Sequence, residues 1–382
     1  MLKVTTVFGT RPEAIKMAPL VQELMKYPGE IECKVVVTAQ HREMLDQVLN
    51  LFKISPDYDL DIMRAKQSLF DITGRALSGL QDVFQAEQPG LVLVHGDTTT
   101  TFVAALAAYY LQIPVGHVEA GLRTHDKYSP FPEEMNRHLT GVLADLHFAP
   151  TASARQNLIN EGIPKKDIFV TGNTVIDALL ATVQPGYIFD SPVLSGVNYD
   201  SRRVLLVTTH RRENLGEPLR DIYRALKEIL EDYRDVEVIF PVHKNPLVRN
   251  VVYEELGGLN RVHLIEPLEY QPFVNLINRS YLVLSDSGGL QEEAPALGKP
   301  VLVLRDTTER PEAVAAGTVR LVGAGRDVVV SETRRLLDDQ VFYSKMATAV
   351  NPYGDGRAAE RIVQAIRLKF GASKEPVGEF WL

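Results

Sequence analysis

The sequence predicts an α/β protein of two Rossmann-like, doubly wound domains, and three observations predict it. Strand-like apolar runs alternate with helix-like periodic stretches from one end of the chain to the other. That alternation starts afresh near residue 202. The length, 382 residues, exceeds the size at which a single hydrophobic core stops growing.

The elements justify this in order. KVTTVF (3–8) is rich in β-formers, and GTRPEAIKMAPLVQELMKY after it reads as a helix. Thr10 and Glu13 have capping-box spacing, Pro12 falls in the first turn, and Ile15, Ala18, Val21 and Leu24 repeat on one face. IECKVVVTA, LVLVHG, PVGHVEA and LHFAP follow as strands with helical stretches between them. This is the signature of βαβ units and a parallel sheet covered on both faces. RRVLLVTTH (202–210) begins the second series, which EVIFPVH, RVHLIEP, YLVLSDSGG and KPVLVLR continue.

Between the halves, TGNTVIDALLATVQPGYIFDSPVLSGVNYDS carries Gly, Pro, Ser and Asn in its second part and is expected to include the hinge. NPYGDGRAAERIVQAIRLKF reads as a loop and then a helix starting near Asp355. The expected division is residues 1–172, with a C-terminal helix at 364–382 packing back on them, against residues 173–363.

Composition narrows the function. A net charge of −8 argues against a general nucleic-acid binder, which needs a basic face. The single cysteine, Cys33, excludes an intramolecular disulfide framework and a cysteine-based zinc site, and suits a reducing compartment. No apolar run approaches the ~20 residues of a membrane span, and MLKVTTVFGT runs into a strand without a signal pattern. The expectation is a soluble cytoplasmic protein with neither a membrane nor a nucleic acid as partner.

Ligands of open α/β sheets bind outside the carboxyl ends of the strands. Two such sheets facing each other would share one site in the cleft between them, so the residues after each strand are the candidates. Gly9-Thr10-Arg11-Pro12-Glu13, with Lys16 one turn on, lacks the dinucleotide fingerprint, and the chain has no P-loop motif. Arg11 and Lys16 at a helix start instead suit an anion, or simply a plain surface helix. In SDSGGLQEEAP, a strand ends at Ser285, Ser287-Gly288-Gly289 turns the chain, and a helix carrying Glu293 follows. Free N–H groups there suit a phosphate, and Glu293 could accept ribose hydroxyls. His210, Arg211 and Arg212 follow another strand, and Arg305 and Arg310 a third. Arginines at several strand ends of an acidic protein suggest an anionic ligand.

Acids form the other half of the pattern. Asp97 follows LVLVHG, Glu119 follows PVGHV, and SPFPEEMNR carries Glu133, Glu134 and Arg137. Asp97 could cap the helix after it. If Asp97 and Glu119 lie together, like-charge repulsion should raise at least one pKa, which suits acid–base work. His95 and His117 precede the two acids and read as packed rather than catalytic. The histidines show no metal-ligand spacing, so no metal is expected.

GTRPEAIKMAPL, TAQHREML, HGDTTT, HVEAGLRT, PEEMNR, HRREN, DSGGLQEEAP, GKPVLVLRDTTERPE and GTVRLVG occur in this order. Together they resemble the non-hydrolysing bacterial UDP-N-acetylglucosamine 2-epimerases over nearly the whole chain. The resemblance implies a GT-B-like pair of Rossmann-like domains facing across a cleft. It implies interconversion of UDP-GlcNAc and UDP-ManNAc by elimination of UDP, through 2-acetamidoglucal, and re-addition, without nicotinamide or metal.

By the same resemblance Asp97, Glu119 and Glu133 transfer protons, while Arg11, Lys16, His210 and Arg310 surround the leaving UDP, with Arg137 beside the substrate. Ser287, Gly288 and Gly289 match the phosphate turn, Glu293 the ribose contact, and Phe273 a loop whose backbone meets the uracil. UDP-GlcNAc as an activator would meet Gln40, Glu43, Gln67, Arg211 and His243, with Glu43 a departure from the Gln of some activated members. The family's homodimer is expected as well. A hydrolysing epimerase, a GT-B glycosyltransferase or a nucleotide-sugar sensor would share parts of this pattern. The usual fused sugar-kinase domain of the hydrolysing enzymes is not in the sequence.

Overall fold

A computed structural model describes residues 1–39, 42–64 and 66–381, with the side chains of Arg42 and Glu43 outside the description. The chain forms two compact units, Met1–Leu180 with Tyr353–Leu382, and Ala181–Pro352.

The first unit is built on seven strands: β1 (Leu2–Phe8), β2 (Ile31–Val37), β3 (Tyr58–Asp59), β4 (Leu91–His95), β5 (Val115–Val118), β6 (Leu146–Ala149) and β7 (Ile168–Val170). Their order is β3-β2-β1-β4-β5-β6-β7, and every pair is parallel. The central strands are buried from end to end; LVLVH of β4 has no exposed residue. That is why they read as unbroken apolar runs rather than alternating ones. The chain leaves β3 on one side and returns at β4 beside β1, so the topological switch point lies between β1 and β4.

The second unit repeats the plan with six strands: β8 (Arg203–Thr208), β9 (Val236–Pro241), β10 (Val262–Ile265), β11 (Leu282–Ser285), β12 (Val301–Val303) and β13 (Val319–Leu321). The order is β10-β9-β8-β11-β12-β13, again all parallel, with the switch point between β8 and β11. Its core gathers Leu205, Val207, Val238, Phe240, Leu282 and Leu284 of the sheet against Leu219, Ile222, Tyr223 and Leu226 of one helix. The two-domain α/β, Rossmann-like fold is the one the sequence predicts.

The unit boundaries differ from the expected ones, falling after Leu180 rather than 172 and before Tyr353 rather than 364. Asp177 supplies the reason. It sits on the helix Thr174–Thr182, and its carboxylate accepts the N–H groups of Ala359 at 2.8 Å and Ala358 at 3.2 Å. Those are the first residues of the helix Ala358–Lys369. Asn173 N–H also donates to the Tyr353 carbonyl at 2.6 Å. The last part of the chain thus belongs with the helix after β7, and both fall in the first unit. Farther along, Arg367 pairs with Glu30 and Lys369 with Asp167, holding the same helix to the first unit.

Candidate functional site: two sets of strand-end residues

In the first unit, the site residues stand where β1, β4 and β5 end. β4 and β5 pair with His95 opposite Val118, so Asp97 and Glu119 leave neighbouring strands on the same edge. Thr98, not Asp97, is the N-cap of the helix Thr99–Tyr110; its hydroxyl accepts the Thr101 N–H at 3.2 Å. Asp97 is therefore not the capping residue. Glu119 is held with φ near +61°, a left-handed conformation that costs a non-glycine residue about 1 kcal/mol or more. Backbone strain at a polar strand end points to function rather than to packing.

Each acid has a cation. Lys16 Nζ lies 2.5 Å from Glu119, and Arg137 Nη2 lies 2.5 Å from Asp97. Asn173 donates its side-chain amide to Glu119 at 2.7 Å. The mutual repulsion expected of the two acids is therefore opposed by a separate positive partner for each. His95 stands 3.8 Å from Glu119, but burial pushes its pKa down to about 4, so near neutrality it is an uncharged neighbour. His117 is buried with its pKa pushed down to about 3, and its Nε2 lies 2.7 Å from the Gly96 carbonyl. Both histidines are packed, as expected.

The pair of glutamates in PEEMNR divides its work. Glu134 is fully buried and accepts the N–H groups of Thr124 and His125 at 3.0 Å, besides Arg137 Nη1 at 2.9 Å. Burial works against its charge, yet these hydrogen bonds and Arg137 hold its pKa below the usual carboxylate range. Glu133, one residue earlier, has a buried Oε2 with no hydrogen-bond partner among the described residues. An idle carboxylate oxygen is costly in a structural residue and useful in one that must take and give a proton.

Glu13 entered the sequence reading only as a cap, and its role is larger. Its buried carboxylate accepts the N–H groups of Thr10 at 2.7 Å and Gly9 at 3.0 Å, and the hydroxyls of Thr98 at 2.6 Å and Thr101 at 3.2 Å. It ties the loop after β1 to the loop after β4 at the switch point. Burial raises its pKa against those hydrogen bonds. Gly9 lets the loop lie against Thr38 and Thr100, since a Cβ there would sit 2.1 Å from Thr38 Oγ1 and 2.7 Å from Thr100 Oγ1.

In the second unit, the corresponding residues stand where β8 and β11 end. Asp286 is buried, and its carboxylate accepts His210 Nδ1 at 2.9 Å, the N–H groups of Arg211 at 2.9 Å and His210 at 3.0 Å, and Asn214 Nδ2 at 3.1 Å. Burial opposes its ionisation, but the hydrogen bonds from His210 and Arg211 prevail and lower its pKa. His243 stacks on His210 with ring centroids 5.7 Å apart. Thr209 is buried and bonds the Tyr223 hydroxyl at 2.7 Å, fixing the turn before His210.

Ser287, Gly288 and Gly289 form the turn before the helix Leu290–Ala296. Among the described residues, the N–H groups of Gly288, Gly289 and Leu290 have no acceptor, which suits an anion. Neither glycine has a positive φ, so what they contribute is open space rather than an unusual backbone. A Cβ at Gly289 would meet Glu293 Oε2 at 3.6 Å, which sets that carboxylate beside the turn. Tyr270 donates its hydroxyl to Glu293 Oε1 at 3.4 Å.

Phe273 and Arg305 differ from expectation. Phe273 is not in a loop: it lies in the helix Tyr270–Arg279 and its N–H is spent on the Glu269 carbonyl. Its side chain is half-buried. Arg310 pairs with Glu292, and Arg305 with Glu213 at 2.5 Å and Glu309 at 2.7 Å, so Arg305 is a structural cation. Arg11 is half-buried at the start of its helix. Of the activator positions, Gln67 is engaged locally, accepting the Arg64 N–H at 3.0 Å. His243 is exposed. Gln40 and the side chain of Glu43 lie outside the described residues.

Comparison with known proteins identifies the family. The profile of the family described as UDP-N-acetylglucosamine 2-epimerase matches residues 22–367. The chain belongs to that family. It is 57% identical to the UDP-N-acetylglucosamine 2-epimerase of Bacillus subtilis, over 99% of this chain and 98% of that one. With the Escherichia coli K12 enzyme of the same name the identity is 56%, over 96% and 98%. The crystal structure of UDP-GlcNAc 2-epimerase from Neisseria meningitidis bound to UDP-GlcNAc superimposes with a TM-score of 0.86 at 53% identity, covering 96% of this chain and 99% of that one. Epimerases are isomerases, and the chain is an enzyme of this class.

Within a UDP-N-acetylglucosamine 2-epimerase, the residues that sequence reasoning passed over are Glu13, Asn173 and Asp286. The aspartate of DSGG was the one signal available, because an acid directly after a buried strand invites the same question as Asp97. Among the described residues, no group of three His, Cys, Asp or Glu side chains is placed to hold a metal ion. No helix among them is long and apolar enough to cross a membrane.

Proposed function

We propose that this chain interconverts UDP-N-acetylglucosamine and UDP-N-acetylmannosamine without hydrolysis, with no nicotinamide or metal. The observation that carries the reading is the acid set of the first unit. Asp97 and Glu119 leave neighbouring strands, each held by a cation, and Glu133 offers an unpartnered oxygen. The C2 proton of the sugar has no adjacent carbonyl to acidify it. Breaking the C1–O bond to UDP gives C1 oxocarbenium character, and loss of the C2 proton to a carboxylate then leaves 2-acetamidoglucal and UDP. Re-addition of UDP, with a proton delivered to the opposite face of C2, gives the epimer.

Three acids, rather than one, suit removal on one face and delivery on the other. Positioned acid–base groups of this kind contribute about 10²–10⁴-fold in rate. Arg11, Lys16, His210 and Arg310 are the residues assigned to the charge of the departing diphosphate, the Ser287–Gly289 turn to its phosphates and Glu293 to the ribose. A glycosyltransferase would need an acceptor site, and a sensor has little need for three acids.

The reading extends to a cytoplasmic enzyme that supplies N-acetylmannosamine units for cell-surface polysaccharide, activated by UDP-GlcNAc through Gln67, Arg211 and His243 with Gln40 and Glu43. It extends also to a homodimer. Met135, Leu139 and Val142 are exposed at i, i+4 and i+7 on the helix Glu133–Leu143, an apolar stripe that a second copy would cover. Light scattering on the purified protein checks the dimer, which a monomer at micromolar concentration refutes.

The chemistry is tested by proton NMR of the protein with UDP-GlcNAc in D₂O. UDP-ManNAc carrying deuterium at C2 is the expected product. Free ManNAc with UDP would identify a hydrolase, and unchanged substrate at saturating concentration would remove the epimerase reading.

A further inference from the structure

In the second unit the buried carboxylate of Asp286 takes its partners from a different loop, and among them is His210, a side chain assigned to the leaving diphosphate. Asp286 follows β11, while His210, Arg211 and Asn214 follow β8. The Asp286 side chain is fully buried, and the His210 side chain is 37% exposed. One nitrogen of the ring is therefore committed and the other remains accessible. Nδ1 is the committed atom, at 2.9 Å from Asp286 Oδ1.

We infer that Asp286 is a positioning residue: it fixes the His210 imidazole with its proton on Nδ1 and so presents Nε2 outward, toward the diphosphate oxygen. This rests on the assignment of His210 made above. An ionised carboxylate accepts hydrogen bonds but cannot donate one, so Nδ1 must carry the hydrogen. The ring is further held because the same carboxylate accepts the His210 backbone N–H, which fixes the side chain at both its root and its tip. When Nε2 is also protonated, the imidazolium donates to the diphosphate with its charge balanced from behind by Asp286. The charged and titratable groups facing the ring are Asp286, the stacked His243, and Arg211, whose Nε donates to the Asp286 carbonyl at 3.3 Å. His243 and Arg211 oppose added positive charge on the ring. Asp286 favours it, and among the described residues it is the one that contacts a ring nitrogen directly, at 2.9 Å.

The logic parallels the buried aspartate behind the histidine of a serine protease, where replacement by asparagine leaves the shape and reverses the tautomer. In Asp286→Asn the side chain has an N–H₂ group to place among these donors, and the His210 ring is free to turn or to shift its proton to Nε2.

The experiment is nitrogen-15 NMR of the full-length protein labelled at histidine, with His210 assigned by the His210→Gln variant. In the native protein above its titration, the neutral His210 ring should carry its proton on Nδ1; a ring protonated on Nε2 overturns the inference without any variant. In Asp286→Asn the Nδ1-protonated form should be lost, with kcat down about 10²-fold and KM for UDP-GlcNAc within about threefold. An unchanged tautomer in a folded Asp286→Asn protein also overturns it. Absence of epimerase activity in the native protein would instead remove the reading above, and the tautomer measurement would still decide the role of Asp286.

Discussion

Replacing Asp177 by asparagine should leave stability nearly unchanged at pH 4 and raise it by about 3 kcal/mol at pH 7.5. Asp177 is 9% exposed, and burial pushes its pKa from 3.8 up to about 6, against the two N–H groups it accepts from the start of the helix Ala358–Lys369. Between those two values the folded protein binds more protons than the unfolded chain. The stability linked to that proton is complete below pH 3.8 and is lost as the pH rises through about 6. At about 1.36 kcal/mol per tenfold, the interval from 3.8 to about 6 is worth about 3 kcal/mol.

Asparagine keeps an acceptor oxygen for the Ala359 N–H and has no charge to bury, so it escapes the loss. Alanine gives a contrast: it leaves two N–H groups without their acceptor and should cost about 1–3 kcal/mol even at pH 4. The assay is urea unfolding at pH 4 and pH 7.5, followed by fluorescence. The lone tryptophan, Trp381, belongs to the first unit and stacks with the Arg155 guanidinium, so it reports on the segment that Asp177 anchors. An Asp177→Asn protein whose difference from the parent is the same at both pH values would refute the reasoning.

Asp97→Asn and Glu119→Gln should each abolish epimerisation while UDP binding, followed by calorimetry, survives; unchanged turnover in both removes the acid–base assignment. Glu133→Gln should keep its melting temperature and lose about 10²-fold in kcat, whereas Glu134→Gln should melt lower because a buried acceptor of two N–H groups and Arg137 is altered; reversed behaviour would exchange their roles. Arg137→Lys should reduce kcat more than about tenfold, since one ammonium cannot span both Asp97 and Glu134 as the guanidinium fork does. Glu43→Gln should strengthen activation by UDP-GlcNAc, seen as a steeper rise of rate with substrate.

The alternation of strands and helices, the two sheets, and the strand-end positions of Asp97, Glu119, His210 and the Ser287–Gly289 turn were legible because parallel strands are continuous apolar runs. The strands β3, β7 and β13 were not, since two or three residues at or near a sheet edge carry too little pattern to stand out. Phe273 was placed in a loop by the resemblance and not by its own pattern, and the helix that holds its backbone begins only three residues before it. The unit boundaries were misplaced for a different reason. Asp177 and Ala359 are distant along the chain, and nothing local at either marks the other as its partner. Glu13, Asn173 and Asp286 share that difficulty, as a carboxylate or amide that bridges two loops shows in sequence only as a polar residue beside a strand.

The docking of Tyr353–Leu382 onto the first unit bears on how the protein is made. Residues Ala181–Pro352 are contiguous, so everything they pack against within their own unit has left the ribosome once Pro352 emerges. Met1–Leu180 is synthesised earlier yet lacks the helix that Asp177, Glu30 and Asp167 hold. On this arrangement the second unit should be complete before the first, the reverse of the usual order in which the leading domain folds first. Chains released at Pro352 should resist protease over the second unit and be cut in the first. The first unit, which carries Asp97, Glu119 and Glu133, would then be completed only after the second.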